Sequence, residues 1–158
     1  MAILQSRSIA LADEQPDRPL DLGSLRAAVQ ALGNAVDVVS SPEFAMVDLR
    51  WRDTVVAGVV QHFEFTFELC WKMLKRQLER EVPSPAALDG ASYRELFRFA
   101  HQRGLIPTVE PWFEFRELRN ITAHTDARDK ARKVAAGAPV LLAQARALLS
   151  TIEARQHG

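Results

Sequence analysis

The 158-residue chain has one cysteine, Cys70. No disulfide can form within it, and a reducing cytoplasm is the expected compartment. Net charge is also missing, because twenty Lys and Arg balance twenty Asp and Glu. No global basic field announces a nucleic-acid binder, so any such site has to be a local patch. Strand signals are nearly absent, with no alternating Val, Ile and Thr segment between Asn-Gly-type turns. No apolar run approaches the roughly 18 residues that span a bilayer. The first nineteen residues hold a single early Arg7 and no sustained apolar stretch, a poor match to a signal peptide. There are no repeats and no Gly-rich phosphate loop, and nothing calls for a cofactor. A Gly-Ser dipeptide followed by paired aspartates is also lacking, which argues against a nucleotidyltransferase catalytic domain.

Helical periodicity is what the chain has instead. Leu25, Val29, Leu32, Val36 and Val39 recur at spacings of four and three, predicting a first helix that ends near Ser40-Ser41-Pro42. A long second helix is expected from about Asp48 to Glu81. Its Val56, Val59, Val60, Phe63, Phe67, Cys70, Trp71, Leu74 and Leu78 fall within about 120° on a helical wheel. Phe65, Leu69 and Met73 form another apolar stripe on roughly the opposite side, suited to a second subunit or a partner protein. Glu64, Glu68 and Lys72 lie on a polar strip between the two stripes.

Ser92 and Glu95 have capping-box spacing, and Gly104 stands where the C′ residue of a short third helix belongs. Pro111 suits the first position of a fourth helix. A last helix is expected from about Ala127 to Ala154, kinked or split at Gly137 and Pro139. The expectation is an all-α, antiparallel up-and-down bundle of four main helices plus a short extra one. It forms a single domain over residues 20–156, after a flexible arm at residues 1–19. A domain of this size buries roughly 68–70% of its unfolded surface and folds without staples.

Residues 112–124, WFEFRELRNITAH, gather the chain's densest set of polar chemistry. Read as helix, positions four apart lie about 40° apart, so Arg116, Asn120 and His124 stack on one face. Arg119 reaches around with its long side chain. Arginine presents a planar fork to phosphate and stabilises charge developing in a transition state. Histidine moves protons near neutral pH, and asparagine orients it or the substrate. This set suits binding and cleavage of a phosphodiester, with Arg119, Asn120 and His124 as catalytic candidates. Arg116, Arg128, Lys130, Arg132 and Lys133 are candidates for guiding the anionic ligand.

The blander alternative pairs Arg119 with Glu64, Glu68 or Glu117 and leaves His124 capping a helix end. Glu64 and Glu68, one turn apart, are a secondary acidic candidate, more simply read as a salt-bridge ladder with Lys72. His62 and His101 have no partner at metal-ligand spacing, so no metal site is expected. Cys70 lies on the main apolar stripe and reads as core.

Two segments, residues 61–76 (QHFEFTFELCWKMLKR) and 112–124, resemble the nucleotidyltransferase substrate-binding protein family of the HEPN superfamily. The resemblance spans roughly residues 20–155. It implies a dimerising helical bundle that pairs, in a toxin–antitoxin-type system, with a minimal nucleotidyltransferase encoded by a neighbouring gene. It further implies that the chain contributes to that enzyme's substrate or nucleotide site. The alternative it carries is a metal-independent ribonuclease acting on RNA. There Arg119 stabilises phosphate charge, His124 acts as acid or base, and Asn120 orients them across a homodimer cleft. A purely structural helical dimer is the third reading. In one respect the chain departs from relatives: Asp126 stands two residues after His124, where some toxins carry a modifiable tyrosine.

Overall fold

The computed structural model describes residues 18–121 and 126–158. The described residues form six α-helices: α1 (Gly23–Ser40), α2 (Pro42–Ala45), α3 (Leu49–Glu81), α4 (Tyr93–Gln102), α5 (Glu110–Arg119) and α6 (Ala127–His157). A 3-10 turn, Pro85–Leu88, precedes α4, and no strand forms among the described residues. The all-α expectation holds.

Helix boundaries follow local chemistry. Asp48 caps α3 by accepting from the Arg50 amide at 2.9 Å, which satisfies one orphan donor of the first turn. At α4, Ser92 and Glu95 form a reciprocal capping box. Gly104 ends that helix at φ +72°, a left-handed conformation open to glycine. The Leu105 amide reaches the Ala100 carbonyl at 2.8 Å and the Gly104 amide reaches that of His101 at 2.9 Å, the paired bonds of a Schellman motif.

α1, α3 and α6 form the body of the bundle. Ion pairs at their ends set the directions. Arg26, near the start of α1, meets Glu153 near the end of α6 at 2.7 Å, so these two run oppositely. Asp53 meets Arg128 at 3.3 Å and Glu81 meets Arg155 at 2.6 Å, so α3 and α6 run the same way. The chain must therefore climb back between Glu81 and Ala127, and the 3-10 turn, α4 and α5 supply that limb. The short third helix and the fourth helix beginning near Pro111, both expected from the sequence, are the two ten-residue helices of that limb. An aromatic cluster of Phe63, Phe67, Phe97, Trp112 and Phe115, each at most 2% exposed, locks the limb onto α3. Phe63 and Phe115 pack edge to face at 6.0 Å between centroids.

α6 is not split in two. It continues through Gly137 and Pro139 without a break. Val134, Ala138, Leu141 and Leu142 are buried on both sides of the proline, so packing carries the helix past the hydrogen bond that proline cannot make. Gly137 serves close approach: a Cβ there would stand 2.7 Å from Leu118 Cδ1 of α5. Although its apolar residues are interrupted by polar ones, α6 is by length and composition also apolar enough to cross a bilayer. Its apolar side is the bundle core.

Met73 is a further correction. It is 6% exposed and belongs to the core, and Leu69 packs against that core. Thr66, two turns before Met73 and on the same side of α3, donates to the Ala28 carbonyl of α1, so the bundle itself takes up that part of the second stripe. Only Phe65 of the three stands exposed, at 57%.

Candidate functional site

α5 stops at Arg119, and Asn120 is its C-cap, its amide reaching the Arg116 and Glu117 carbonyls. The expected continuation of one helix through His124 is therefore corrected at its first step, since Asn120 already lies past the last helical residue. His124 lies outside the described residues. A break here is physically reasonable. The chain must turn from the top of α5 into α6, whose first turn is capped by Asp126 accepting from the Arg128 amide at 3.0 Å. Asp126 thus has a structural task as the cap of α6.

Arg119 points to the polar strip of α3. Its Nε lies 3.4 Å from Glu68 Oε1, with the two side chains 39% and 31% exposed. That nitrogen is itself buried and lacks well-aligned hydrogen-bond geometry, so the contact is one of charge more than of a directed bond. Glu68 also accepts from Trp71 Nε1 at 2.9 Å. One turn earlier, Glu64 faces Lys130 of α6 at 3.5 Å. Glu64 and Glu68 therefore each hold a cation from another helix, and the expected ladder within α3 through Lys72 is not what they form. Across the strip, two carboxylates and two cations leave the site close to neutral.

The basic run on α6 splits in the same way. Arg128 reaches Asp53 at 3.3 Å, and Arg132 pairs within its own helix with Asp129 at 3.4 Å. Lys133 is exposed. Arg116 does not line up with Arg119 on the acidic strip. Its guanidinium lies over the Tyr93 ring, 3.5 Å from the centroid. Arg94 sits similarly over Phe113 at 4.7 Å. These two stacked arginines escape sequence reasoning, because the ring and the cation of the Tyr93–Arg116 pair come from different helices. Only an aromatic-rich α5 following an arginine-rich α4 hints at them.

Other candidates resolve as core or local contacts. Cys70 is fully buried, and that burial pushes its thiol well above the ordinary range, as expected of a core cysteine. His101 Nδ1 lies 3.3 Å from the Ile106 carbonyl. No group of three or more His, Cys, Asp or Glu is placed to hold a metal among the described residues.

Comparison with known proteins places this geometry. A family model described as nucleotidyltransferase substrate binding protein like matches residues 20–154. A curated relative from Haemophilus influenzae, named probable ribonuclease HepT, is 34% identical over 139 residues, spanning 87% of this chain and 95% of the relative. A solved Haemophilus influenzae structure, described as revealing the fold of a substrate binding domain of a nucleotidyltransferase, matches with a TM-score of 0.79. It shares 34% identity and covers 84% of this chain and 99% of its own. The chain belongs to the nucleotidyltransferase substrate-binding-protein-like family.

Proposed function

We propose that this chain is the HEPN-like half of a two-protein, toxin–antitoxin-type system in the cytoplasm. It forms a homodimer, pairs with a separate minimal nucleotidyltransferase from a neighbouring gene, and brings metal-independent RNA cleavage to the pair. The observation that carries this is the Arg119-Asn120 step at the end of α5, set directly before His124 and the basic start of α6. The name of the 34%-identical relative, probable ribonuclease, agrees with it.

In the proposed reaction the 2′-hydroxyl of RNA attacks the adjacent phosphorus. The bond to the 5′-oxygen breaks, leaving a cyclic phosphate and a 5′-hydroxyl. Arg119 stabilises the charge on the phosphoryl oxygens, and His124 transfers protons at the attacking or leaving oxygen. Asn120 orients these groups. The dimer surface runs along α3, where Trp51 and Phe65 are 63% and 57% exposed. They lie fourteen residues apart, on one side of the helix. Gly58, halfway between, has open space where a Cβ would be. Expression of the wild-type chain should arrest growth, and co-expression of the neighbouring nucleotidyltransferase should relieve the arrest. Toxicity that persists unchanged in both Arg119→Ala and His124→Ala sinks the site assignment.

A second reading is favoured by the Arg119–Glu68 and Lys130–Glu64 pairs. Neutralised cations suit a subunit that completes its partner's nucleotide site without cleaving RNA. Under that reading the partner's nucleotide use changes on binding this chain, and no RNA is cut.

A further inference from the structure

α4 and α5 enclose a cleft of about 40 Å³, lined by Tyr93, Arg94, Phe97, Phe113, Arg116 and Glu117. Its two guanidiniums are held by ring faces, Arg116 on Tyr93 and Arg94 on Phe113. A guanidinium stacked this way uses its face and keeps its in-plane N–H donors for an anion. Among the described residues, Arg119, Arg128, Lys130 and Arg132 all have carboxylate partners. Neither Arg94 nor Arg116 is among the ion-paired cations there. Glu117 is the one carboxylate lining the cleft, so two cations face one anion.

The cleft also connects to Arg119. Tyr93 packs on Trp71 at 5.1 Å, Trp71 donates to Glu68 at 2.9 Å, and Glu68 holds Arg119. Arg116 and Arg119 are three residues apart on α5, neighbours on a helix surface.

We propose that this cleft is a nucleotide-phosphate subsite, in which the forks of Arg94 and Arg116 grip the phosphate of a free nucleotide or of an RNA strand. Exposed Arg94 offers its second face to a base, since guanidinium planes stack on nucleobases. The inference rests on the proposed function and deepens it: the subsite seats one phosphate while Arg119 faces a neighbouring one. Two cations that line one cleft gain when an anion enters it.

The test titrates the full chain with AMP, with inorganic phosphate and with a fluorescein-labelled oligoadenylate, at fixed low salt. Arg94→Gln and Arg116→Gln should each weaken binding about tenfold, the scale of one charge-assisted hydrogen bond. Arg98→Gln, exposed on α4 outside the cleft, should leave binding unchanged. Arg94→Lys and Arg116→Lys keep the charge without the planar fork and should restore only part of the loss. AMP binding with the same dependence identifies a free nucleotide as the source; dependence seen with the oligonucleotide alone identifies an RNA strand.

Binding that is indifferent to both Gln variants overturns the subsite. So does full restoration by lysine. Far-UV circular dichroism confirms that each variant is folded, and the Lys pair serves if a Gln variant is not. The two proposals fail separately. RNA bound through Arg94 and Arg116 but never cut sinks the ribonuclease reading alone. RNA cut through Arg119, with binding indifferent to Arg94 and Arg116, sinks the subsite alone.

Discussion

Replacing Glu68 with glutamine separates charge from contact at the centre of the site. Gln keeps an oxygen able to accept from Trp71 Nε1, now at 2.9 Å, and removes the negative charge 3.4 Å from Arg119 Nε. Coulomb's law at an effective dielectric of about 20 gives roughly 5 kcal/mol for charges at that distance. Both partners are about a third exposed, however. Solvent screening and the entropy of holding two side chains together reduce the net worth of such a pair to about 1 kcal/mol or less. For a domain of this length that is a fall in Tm of about 2–4 °C at most.

Phosphate binding should respond in the opposite direction. Arg119 no longer has a competing carboxylate, and the strip it shares with Glu64 and Lys130 changes from neutral to a single positive charge. Anisotropy of a labelled single-stranded RNA should report binding about tenfold tighter. The slope of log K against log salt should steepen by about 0.7, the value for one more phosphate neutralised on a single strand. Weaker RNA binding in Glu68→Gln, at near-wild-type Tm, would refute the reasoning. Glu68 would then be holding Arg119 in its working orientation instead of competing for it.

Three further outcomes follow from the same geometry. Asp126→Ala removes the N-cap of α6 and should cost about 1 kcal/mol, read as a lower Tm, while Asp126→Asn keeps the capping oxygen and should stay near wild type; equal losses would show that the charge, not the cap, is what counts. Gly137→Val drives a branched side chain into Leu118, 2.7 Å from even a Cβ, and should destabilise by about 1–3 kcal/mol as overpacking does. A Val variant as stable as wild type would contradict the close approach of α5 and α6. Hydrogen bonds from the Ser92 backbone and side chain hold the Glu95 pKa below its ordinary value. The cap is therefore in full force above that ordinary value and is lost as pH falls through the lowered one. Glu95→Gln should remove that part of the acid dependence of unfolding, and an unchanged pH profile would speak against the capping box.

The long elements were legible because their signals are local. Asp48 and Ser92 sit one residue before α3 and α4, and Gly104 takes the left-handed turn that its place after α4 required. The main stripe from Val59 to Leu78 is core because one helix face decides burial by itself. The failures are tertiary. Pro139, with Gly137, read as the place of a kink or a split, yet α6 runs unbroken through both, with buried neighbours on either side. Met73 read as an interface residue, yet it is buried in the core, two turns after Thr66, which donates to the Ala28 carbonyl of α1.

The site divides the same way. A glutamate partner for Arg119 was within reach of spacing arguments, but choosing Glu68 over Glu64 and Glu117 needed the packing of α5 on α3. The end of α5 at Arg119 had no strong local marker, since neither glycine nor proline follows within the motif. Asp126 could have been recognised as a cap from its place just before a helical stretch, an Asp at the position that prefers one.

As proposed, Arg119 and His124 make this chain a metal-independent ribonuclease restrained by its nucleotidyltransferase partner. The direct measurement incubates labelled RNA with the purified chain in excess chelator, alone and with the partner, beside Arg119→Ala and His124→Ala. The account predicts cleavage by the wild type that chelator does not affect, loss of at least a hundredfold in each variant, and suppression by the partner. Intact RNA with the wild type, or equal cleavage by all three proteins, would contradict it.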